Sequence, residues 1–579
     1  MPSVGLFSLS CDQVFLCTFP AVLVRSNRAI EECHNHSAAA GVDEHSEAPR
    51  CQVDMKKRQG AFSSRRQLRS HPSTASAPEE TFQIKAEWLN DGTALERIAD
   101  RCMFIFKYEE EALKTWTGPG RLNISSMCSG CEFPLITSAQ LNRVFAQEHS
   151  ERMLQLHLID SCDIDPKKQR FIKKLHHADI NPDDHPPMQG GACLYNDAKE
   201  LRNEKAWCCL HKRMCKVVCG DIVIIGFSCK DISRANPNHS KVNLSNAESP
   251  GGSCDTWHAL LHRLDNAEFP PVLLIIENVD ALTDDDDDGK SQFDLVVAEL
   301  SNRGYECKAV KLDAVEFGMP QRRRRIYIVC IRLADRRLDW TRQGVEETFE
   351  MWEQQLKKLR MNPCDLEEVL LPDDHEWIQQ SLTSAIAHMR GDPEHTWLDL
   401  HMSFYKDKKL PWGGVKAPES TRSSLWWSAV PARDQDIIAV LCALHSPAKR
   451  PALADTSQNI FITPLSSKRL DHDQREITVS PTALPGAKWW HFKNKRYCTG
   501  EEKMCLQAFP TRNPKYKGLL DDTDDSVRHK LGGDSFTGSV ILVVKWTLIR
   551  VCPWVQRQEV RCSDHDVETA FRVLKARRR

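Results

Sequence analysis

Asp221-Ile222-Val223-Ile224-Ile225-Gly226-Phe227-Ser228-Cys229-Lys230-Asp231 is the stretch that decides the fold. An unbroken apolar run of this kind, rich in β-branched side chains, fits a strand buried on both faces, as in a parallel sheet. A second such run lies downstream at Pro271 to Val279 (PVLLIIENV), and Leu122 to Ser126 reads as a short strand upstream. Tyr305 to Leu312 and Ile326 to Ile331 look like two more strands. Thr256 to Leu264 and Phe293 to Leu300 carry apolar residues at helical spacing, the latter stopping at Gly304. Strands alternating with helices predict a doubly wound α/β domain, with its ligands beyond the carboxyl ends of the strands.

The rest of the chain sets bounds around that domain. Its 579 residues leave room for about three to five folding units. Hydrophobic residues make up 41%, enough for a sizeable core. No apolar run reaches the roughly 18–20 residues of a membrane span. Val4 to Val24 comes nearest, but Asp12 interrupts it and no cleavage pattern follows, so it reads as an unstructured start. The 23 Cys, without a secretory pattern, point to reduced thiols in a reducing compartment. A net charge of −2 means that any contact with nucleic acid must come from local charge.

Residues 1–80 lack any sustained period and read as disordered. Within them Lys56, Lys57 and Arg58 precede Arg65 and Arg66, the spacing of a two-part nuclear localisation signal; a solvated basic stretch is the other reading. From about 335 to 475 the strand–helix alternation is lost, while Trp, Pro and charge are dense (Trp340, Trp352, Trp377, Trp397, Trp412, Trp426, Trp427), which suggests a second, more irregular domain. Asp284 to Asp288 reads as a solvated acidic loop. Phe536 to Arg579 returns to strand and helix patterns and ends in a basic tail.

The chemistry lies at the strand ends. Cys229 follows the first apolar run, where an α/β enzyme places a nucleophile. The next run ends in Glu277-Asn278-Val279, and Gln321-Arg322-Arg323-Arg324-Arg325 leads into the strand from Ile326. Alternation along a strand puts Arg323 and Arg325 on one face and Arg322 and Arg324 on the other. A thiol, a carboxyl and paired guanidiniums form a coherent set for cytosine. A thiolate adds to C6, a carboxyl at N3 stabilises the charge that develops there, and guanidiniums hold O2 and lower the thiol pKa. Taken singly, each has a bland reading: a small buried hydrophobe, a capping acid, a solvated basic face.

The order GFSCKDIS, IIENVDAL, FGMPQRRRRIYIV resembles the motif series of the cytosine-C5 DNA methyltransferases: Pro-Cys, then Glu-Asn-Val, then Gln-x-Arg-x-Arg. Met127-Cys128-Ser129-Gly130 looks like that family's first cofactor loop, and Asp163-Ile164-Asp165 like its ribose-binding acidic turn. Asp197, in LYNDAKEL, stands where an adenine-binding Asp is expected, with Asp179 as the fallback. Leu506-Gln507-Ala508-Phe509-Pro510 and Gly533-Asp534-Ser535-Phe536 look like the last two motifs. The resemblance covers residues 116–555. It implies a Rossmann-like, doubly wound fold that binds S-adenosylmethionine, with a smaller irregular target-recognition domain. The expected division is 1–80 disordered, 116–334 catalytic, 335–500 target recognition, 501–555 return to the catalytic domain, and 556–579 basic tail.

The implied catalytic residues are Cys229 as nucleophile, Glu277 at N3, and Arg323 and Arg325 orienting the base. The implied cofactor contacts are Cys128, Ser129, Gly130, Asp163, Ile164, Asp197, Ser228, Asp534 and Ser535. The implied reaction is methyl transfer to C5 of cytosine in DNA, in the nucleus, on a base flipped out of the duplex. The large segment between 335 and 500 favours DNA over RNA, because it suits groove reading; RNA is the alternative substrate. A third reading is a nucleic-acid-binding pseudoenzyme. The oligomeric state is not encoded in any motif.

Several positions depart from the family pattern. Ser228 replaces Pro, Lys230 replaces Gln and is expected to depress the thiol pKa, Glu132 and Phe133 replace small residues, Asp534 replaces Asn, and Glu501 replaces Arg. Cys208, Cys209, His211, Cys215 and Cys219 crowd ahead of the catalytic strand. Zinc could be held by four of them, but their spacing is not a paired CxxC and adjacent Cys seldom both ligate one ion, so no metal is assigned there and zinc stays the alternative.

Overall fold

The computed structural model describes residues 82–109, 120–147, 154–179, 191–234, 236, 244, 252–285, 289–340, 344–387, 397–447, 450–457 and 478–554. The expected disordered start, its basic pairs, the basic tail and the middle of the acidic loop lie outside them.

One mixed sheet carries the architecture. In chain order its strands are β1 (Arg121–Met127), β2 (Gln155–Cys162), β3 (Cys193–Tyr195), β4 (Lys205–Cys208), β5 (Arg213–Lys216), β6 (Ile222–Ile225), β7 (Leu273–Val279), β8 (Tyr305–Asp313) and β9 (Arg324–Arg332). Their spatial order is β5-β4-β3-β2-β1-β6-β7-β9-β8. β1 pairs in parallel with both β2 and β6, so the chain reverses its direction of winding there. Such a switch point opens a crevice at the carboxyl ends of the two strands. β9 runs antiparallel between β7 and β8.

The apolar runs make this sheet because both of its faces are covered. Ile222, Ile224, Leu273 and Ile275 point into one core, shared with the helices Phe133–Gln147 and Gly538–Val551. Val223, Ile225, Leu274 and Ile276 point into the other, with Trp257, Leu260 and Leu264 of the helix Gly252–Asp265 and Val296 and Leu300 of Gln292–Ser301. Asp221 starts β6 by accepting from the Asn123 amide at 2.8 Å and pairing with Arg337 at 2.8 Å.

Residues 335–500 are more regular than their composition implies. They contain the helices Val345–Lys358, Glu376–Ala387, Trp397–Asp407 and Ala432–Leu444, and a three-stranded sheet of Leu453–Asp455, Trp489–His491 and Arg496–Tyr497. In Val345–Lys358 the buried apolar positions are Phe349, Trp352 and Leu356. That is one narrow apolar stripe, diluted by Glu, Gln and Lys on the outer face. Trp352, Trp377 and Trp426 are core residues rather than surface ones. At the other end, residues 536–554 hold one buried helix and, among the described residues, no strand of the kind expected there; an isolated bridge joins Leu338 to Trp554.

Candidate active site

β6 ends at Ile225, and Cys229 lies in the turn that follows. The amides of Ile232 and Ser233 donate to the Cys229 carbonyl at 3.1 and 2.8 Å, which fixes the turn. The Ser228 amide donates to Thr256 Oγ1 at 3.0 Å. With Ser in place of Pro, this amide is available, and a hydrogen bond replaces the ring as the restraint. Farther along, Arg234 pairs with Asp280 at 2.9 Å and Asp284 at 2.5 Å, tying the loop to the segment after β7.

β7 brings the carboxylate alongside. Glu277 Oε1 sits 3.1 Å from Arg325 Nε. That pair follows from the antiparallel register, in which Glu277 faces Tyr327 and Val279 faces Arg325, so positions 277 and 325 are diagonal on one face. The same oxygen has no aligned hydrogen-bond donor, leaving a buried acceptor with spare capacity. Asn278, on the opposite face, donates to the Phe227 carbonyl at 3.1 Å and so couples β7 to the approach of the nucleophile loop.

Cys229, Glu277, Arg323 and Arg325 meet in one electrostatic neighbourhood. Burial pushes the Cys229 thiol up, Arg325 and Arg323 pull it down, and Glu277 and Asp534 push it up. The net shift is upward. This overturns the expectation of a depressed thiol: Lys230 points outward and is exposed, and desolvation outweighs the guanidiniums.

Arg323 is placed differently from its neighbour. It is buried and donates to the carbonyls of Ala483 (2.7 Å), Gly533 (3.3 Å) and Ser535 (2.7 Å). Burial, then Arg325, lowers its pKa to about 10. Gln321 is fully buried and accepts from Gln507 Nε2 at 2.9 Å, while Gln507 Oε1 accepts from Thr537 at 2.8 Å. The Gln-x-Arg-x-Arg stretch and the segments around 483, 507 and 535 are therefore laced together behind the pocket.

The candidate cofactor residues gather at the ends of β1 and β2. Cys128 and Gly130 take positive φ (55° and 73°) in the loop after β1. A Cβ on Gly130 would lie 2.6 Å from Ser535 Oγ, so only Gly permits the closing approach of the last motif. Ser535 Oγ accepts from the Cys131 amide at 2.9 Å. Ser129 donates to Glu132 at 2.9 Å, and the second carboxylate oxygen of Glu132 is buried without a partner. Burial raises Glu132 to about 7. Phe133, the other bulky replacement, is accommodated by Gly538, whose Cβ would fall 2.4 Å from its ring. Glu501, in place of Arg, is buried and pairs with Arg512 at 3.2 Å.

After β2, Asp163 is buried, whereas Ile164 is 71% exposed. Asp197 caps the short helix Ala198–Arg202 by accepting from the Lys199 amide at 2.9 Å, and Asp179 closes the helix Pro166–Asp179. Asp163 and Asp197 both bias the Cys128 thiol, which burial lifts to about 12. Lys168, absent from the sequence reading, lies 2.6 Å from Asp534 and 4.0 Å from Asp163. Its signal was its place in the first turn of the helix from Pro166, directly after the acidic turn.

A buried carboxylate, an exposed apolar side chain beside it and a Gly-closed loop suit the ribose, adenine and chain of a nucleoside sulfonium. The donor set thus fits S-adenosylmethionine. A strand-end thiol and a paired carboxylate and guanidinium at the carboxyl ends of a mixed α/β sheet define the class: an α/β protein with the side chains of a nucleophilic enzyme. The pattern of the C-5 cytosine-specific DNA methylases matches residues 209–540, over half the chain, and the protein belongs to that family.

A Cryptococcus neoformans DNA (cytosine-5-)-methyltransferase, DMT5, is 24% identical over an alignment of 445 residues that covers 73% of this chain. The chain spans 17% of that relative's length. Among solved structures, S. pombe Dnmt2 methyltransferase is 13% identical, with a TM-score of 0.35 covering 74% of this chain and 98% of the other. A putative E. coli prophage DNA modification methyltransferase is 14% identical, with a TM-score of 0.36 and the same coverages.

Proposed function

We propose that this protein methylates C5 of cytosine in DNA, with Cys229 as nucleophile. The observation that carries the reading is the convergence of Cys229, Glu277 and Arg325 at adjacent strand ends, in a member of the cytosine-C5 family. Cys229 Sγ, once deprotonated, adds to C6 of a flipped cytosine and makes C5 nucleophilic. The Glu277 carboxyl, its Oε1 turned to Arg325, meets the N3–N4 edge of the base, and Arg325 meets O2. Arg323 acts one layer back, as a positioning residue that holds Ser535 and Gly533.

S-adenosylmethionine supplies an electrophilic methyl group when bound. Asp163, Ile164 and Asp197 would hold its adenosine part, and Cys128, Ser129, Gly130, Ser228, Asp534 and Ser535 would hold the rest. Glu132, buried and easily protonated, is compatible with a loop that closes around a cation or a neutral chain.

Residues 335–500 are assigned to target recognition, and the likeness to a fungal DNA methyltransferase supports a nuclear location. Exposed Lys406, Lys409 and Trp412, the last edge-on to Tyr405 at 4.9 Å, support a nucleic-acid contact there. The test is transfer of labelled methyl to duplex DNA and to tRNA side by side. Label in the DNA cytosines, lost in Cys229→Ala, is expected. Label confined to tRNA, or transfer unchanged in Cys229→Ala, contradicts the reading.

A further inference from the structure

At the β5 edge of the sheet, in the chain just ahead of the strand that leads to Cys229, three thiols surround one imidazole. Cys193 opens β3, Cys208 closes β4, His211 lies in the turn after it, and Cys215 lies in β5. His211 Nδ1 is 3.5 Å from Cys193 Sγ, 3.3 Å from Cys208 Sγ and 3.5 Å from Cys215 Sγ. The four donor atoms all lie within 4.8 Å of one another.

Hydrogen bonding does not account for this arrangement. A neutral imidazole nitrogen has one lone pair or one proton, so it cannot satisfy three sulfurs at once. A disulfide would join two sulfurs and leave the third and the ring unexplained. A tetrahedral cation explains all four. With Zn–S near 2.3 Å and Zn–N near 2.0–2.1 Å, sulfur and nitrogen at adjacent corners stand about 3.6 Å apart, close to the three observed distances. We propose that Cys193, Cys208, His211 and Cys215 bind one structural zinc ion.

The surroundings agree with this. The His211 amide reaches Cys208 Sγ at 3.4 Å, the contact that steadies a thiolate ligand in a tight turn. Lys212 takes φ +54°, completing a Cys-x-x-His knuckle. Three sulfurs and one nitrogen are a closed, soft set with no open position, which is a structural rather than a catalytic site.

Two nearby cysteines drop out for visible reasons. Cys209 Sγ faces Asn196 Oδ1 at 2.7 Å, and Cys219 Sγ faces the Arg263 carbonyl at 3.9 Å. The sequence cluster contained three of the ligands and two bystanders, and the fourth ligand comes from a strand fifteen residues upstream of Cys208.

The ion has a mechanical task. β4 meets β3 at a single residue pair, Tyr195 with Cys208, and β4 and β5 are four residues each. Short edge hairpins are marginal by themselves. The zinc would fasten the hairpin to β3, whose next residues lead to Asp197 on the cofactor side; the Tyr195 carbonyl accepts from the Asp163 amide at 3.4 Å.

The test is metal analysis of the full chain purified from zinc-supplemented cells, followed by cobalt exchange. One zinc per chain is expected, with cobalt giving the intense visible bands of a tetrahedral thiolate site. Cys193→Ser and His211→Ala should lose the metal, Cys209→Ala and Cys219→Ala should keep it, and His211→Cys should restore it with a four-thiolate spectrum. Chelation should lower the melting temperature of the wild type. Less than a tenth of an equivalent of zinc with a featureless cobalt spectrum would overturn the proposal. So would full zinc retention in Cys193→Ser, or a different metal at full occupancy. Should His211→Ala fail to fold, the cobalt spectra of the wild type and His211→Cys decide the matter.

Discussion

A buried carboxyl beside the first cofactor loop sets a measurable pH dependence. Glu132 is fully buried, and burial lifts its pKa from 4.5 to about 7. A folded-state pKa above the unfolded one means that the folded state holds the proton more tightly. Below pH 4.5 both states are protonated and there is no penalty. As the pH rises from 4.5 to 7 the unfolded state ionises while the folded state keeps the proton, and stability falls by about 3 kcal/mol at 1.36 kcal/mol per unit. Glu132→Gln removes this term. It is therefore expected to melt later than wild type at pH 8, with the gap closing toward pH 5, in paired denaturation curves. A gap that stays constant with pH would show that Glu132 does not titrate in that window.

At this scale the candidate residues could be picked out of the sequence, and their environments could not. Cys229, Glu277 and Arg325 announce themselves by type and order, because the chemistry tolerates few substitutes. Whether a thiol is raised or lowered depends on the packing around it, which no local pattern reports. For the same reason Lys230 looked influential beside Cys229 in the chain, yet it points to solvent.

Among elements, the decisive contacts run between segments far apart in sequence. Arg323, at the mouth of β9, is the staple for three of them. Gly533 adds to the fit, since a Cβ there would come within 2.2 Å of Pro485 N. Arg323→Met leaves the carbonyls of Ala483, Gly533 and Ser535 without donors in a buried site. An unsatisfied buried acceptor costs about 1–3 kcal/mol, so a loss of about 3 kcal/mol in total is expected after relaxation. The variant should unfold at lower denaturant and bind S-adenosylmethionine more weakly through the loosened Ser535, and Arg323→Lys should recover part of both. Unchanged stability in Arg323→Met would remove the staple from the account.

The strands and helices near the motifs could be read from period alone, since β6 and β7 are continuous apolar runs and Gln292–Ser301 has a capping box at Ser291 and Asp294. The helices between 345 and 444 could not: in Val345–Lys358 the apolar stripe is narrow and set among charges, and in Ala432–Leu444 the apolar residues form a continuous run from Ile437 to Leu444 that carries no helical period. The hairpin β4–β5 was hidden for a different reason. Its strands are four residues each, and the residues that define it read as a cysteine cluster.

For the molecule as a whole, the sheet order explains why the site exists. The reversal at β1 and β6 opens a crevice, β1 and β2 present the cofactor residues on one side of it, and β6, β7 and β9 present Cys229, Glu277 and Arg325 on the other. Asp534 belongs to both sides, paired with Lys168 and acting on the Cys229 thiol. The last motif thus borders both sets of candidate residues, and the proposed function puts cofactor and base in one common pocket between them.

That common pocket is best tested by trapping its covalent intermediate. Duplex DNA carrying 5-fluorocytosine, incubated with the protein and S-adenosylmethionine, should give a denaturant-resistant complex whose mass and peptide map locate the base on Cys229. The complex should form faster as pH rises, because burial holds the thiol up, and more slowly in Arg325→Met. It should be absent in Cys229→Ser. A complex that persists in Cys229→Ser, or a wild-type protein that forms none while binding both the DNA and the cofactor, would contradict the account.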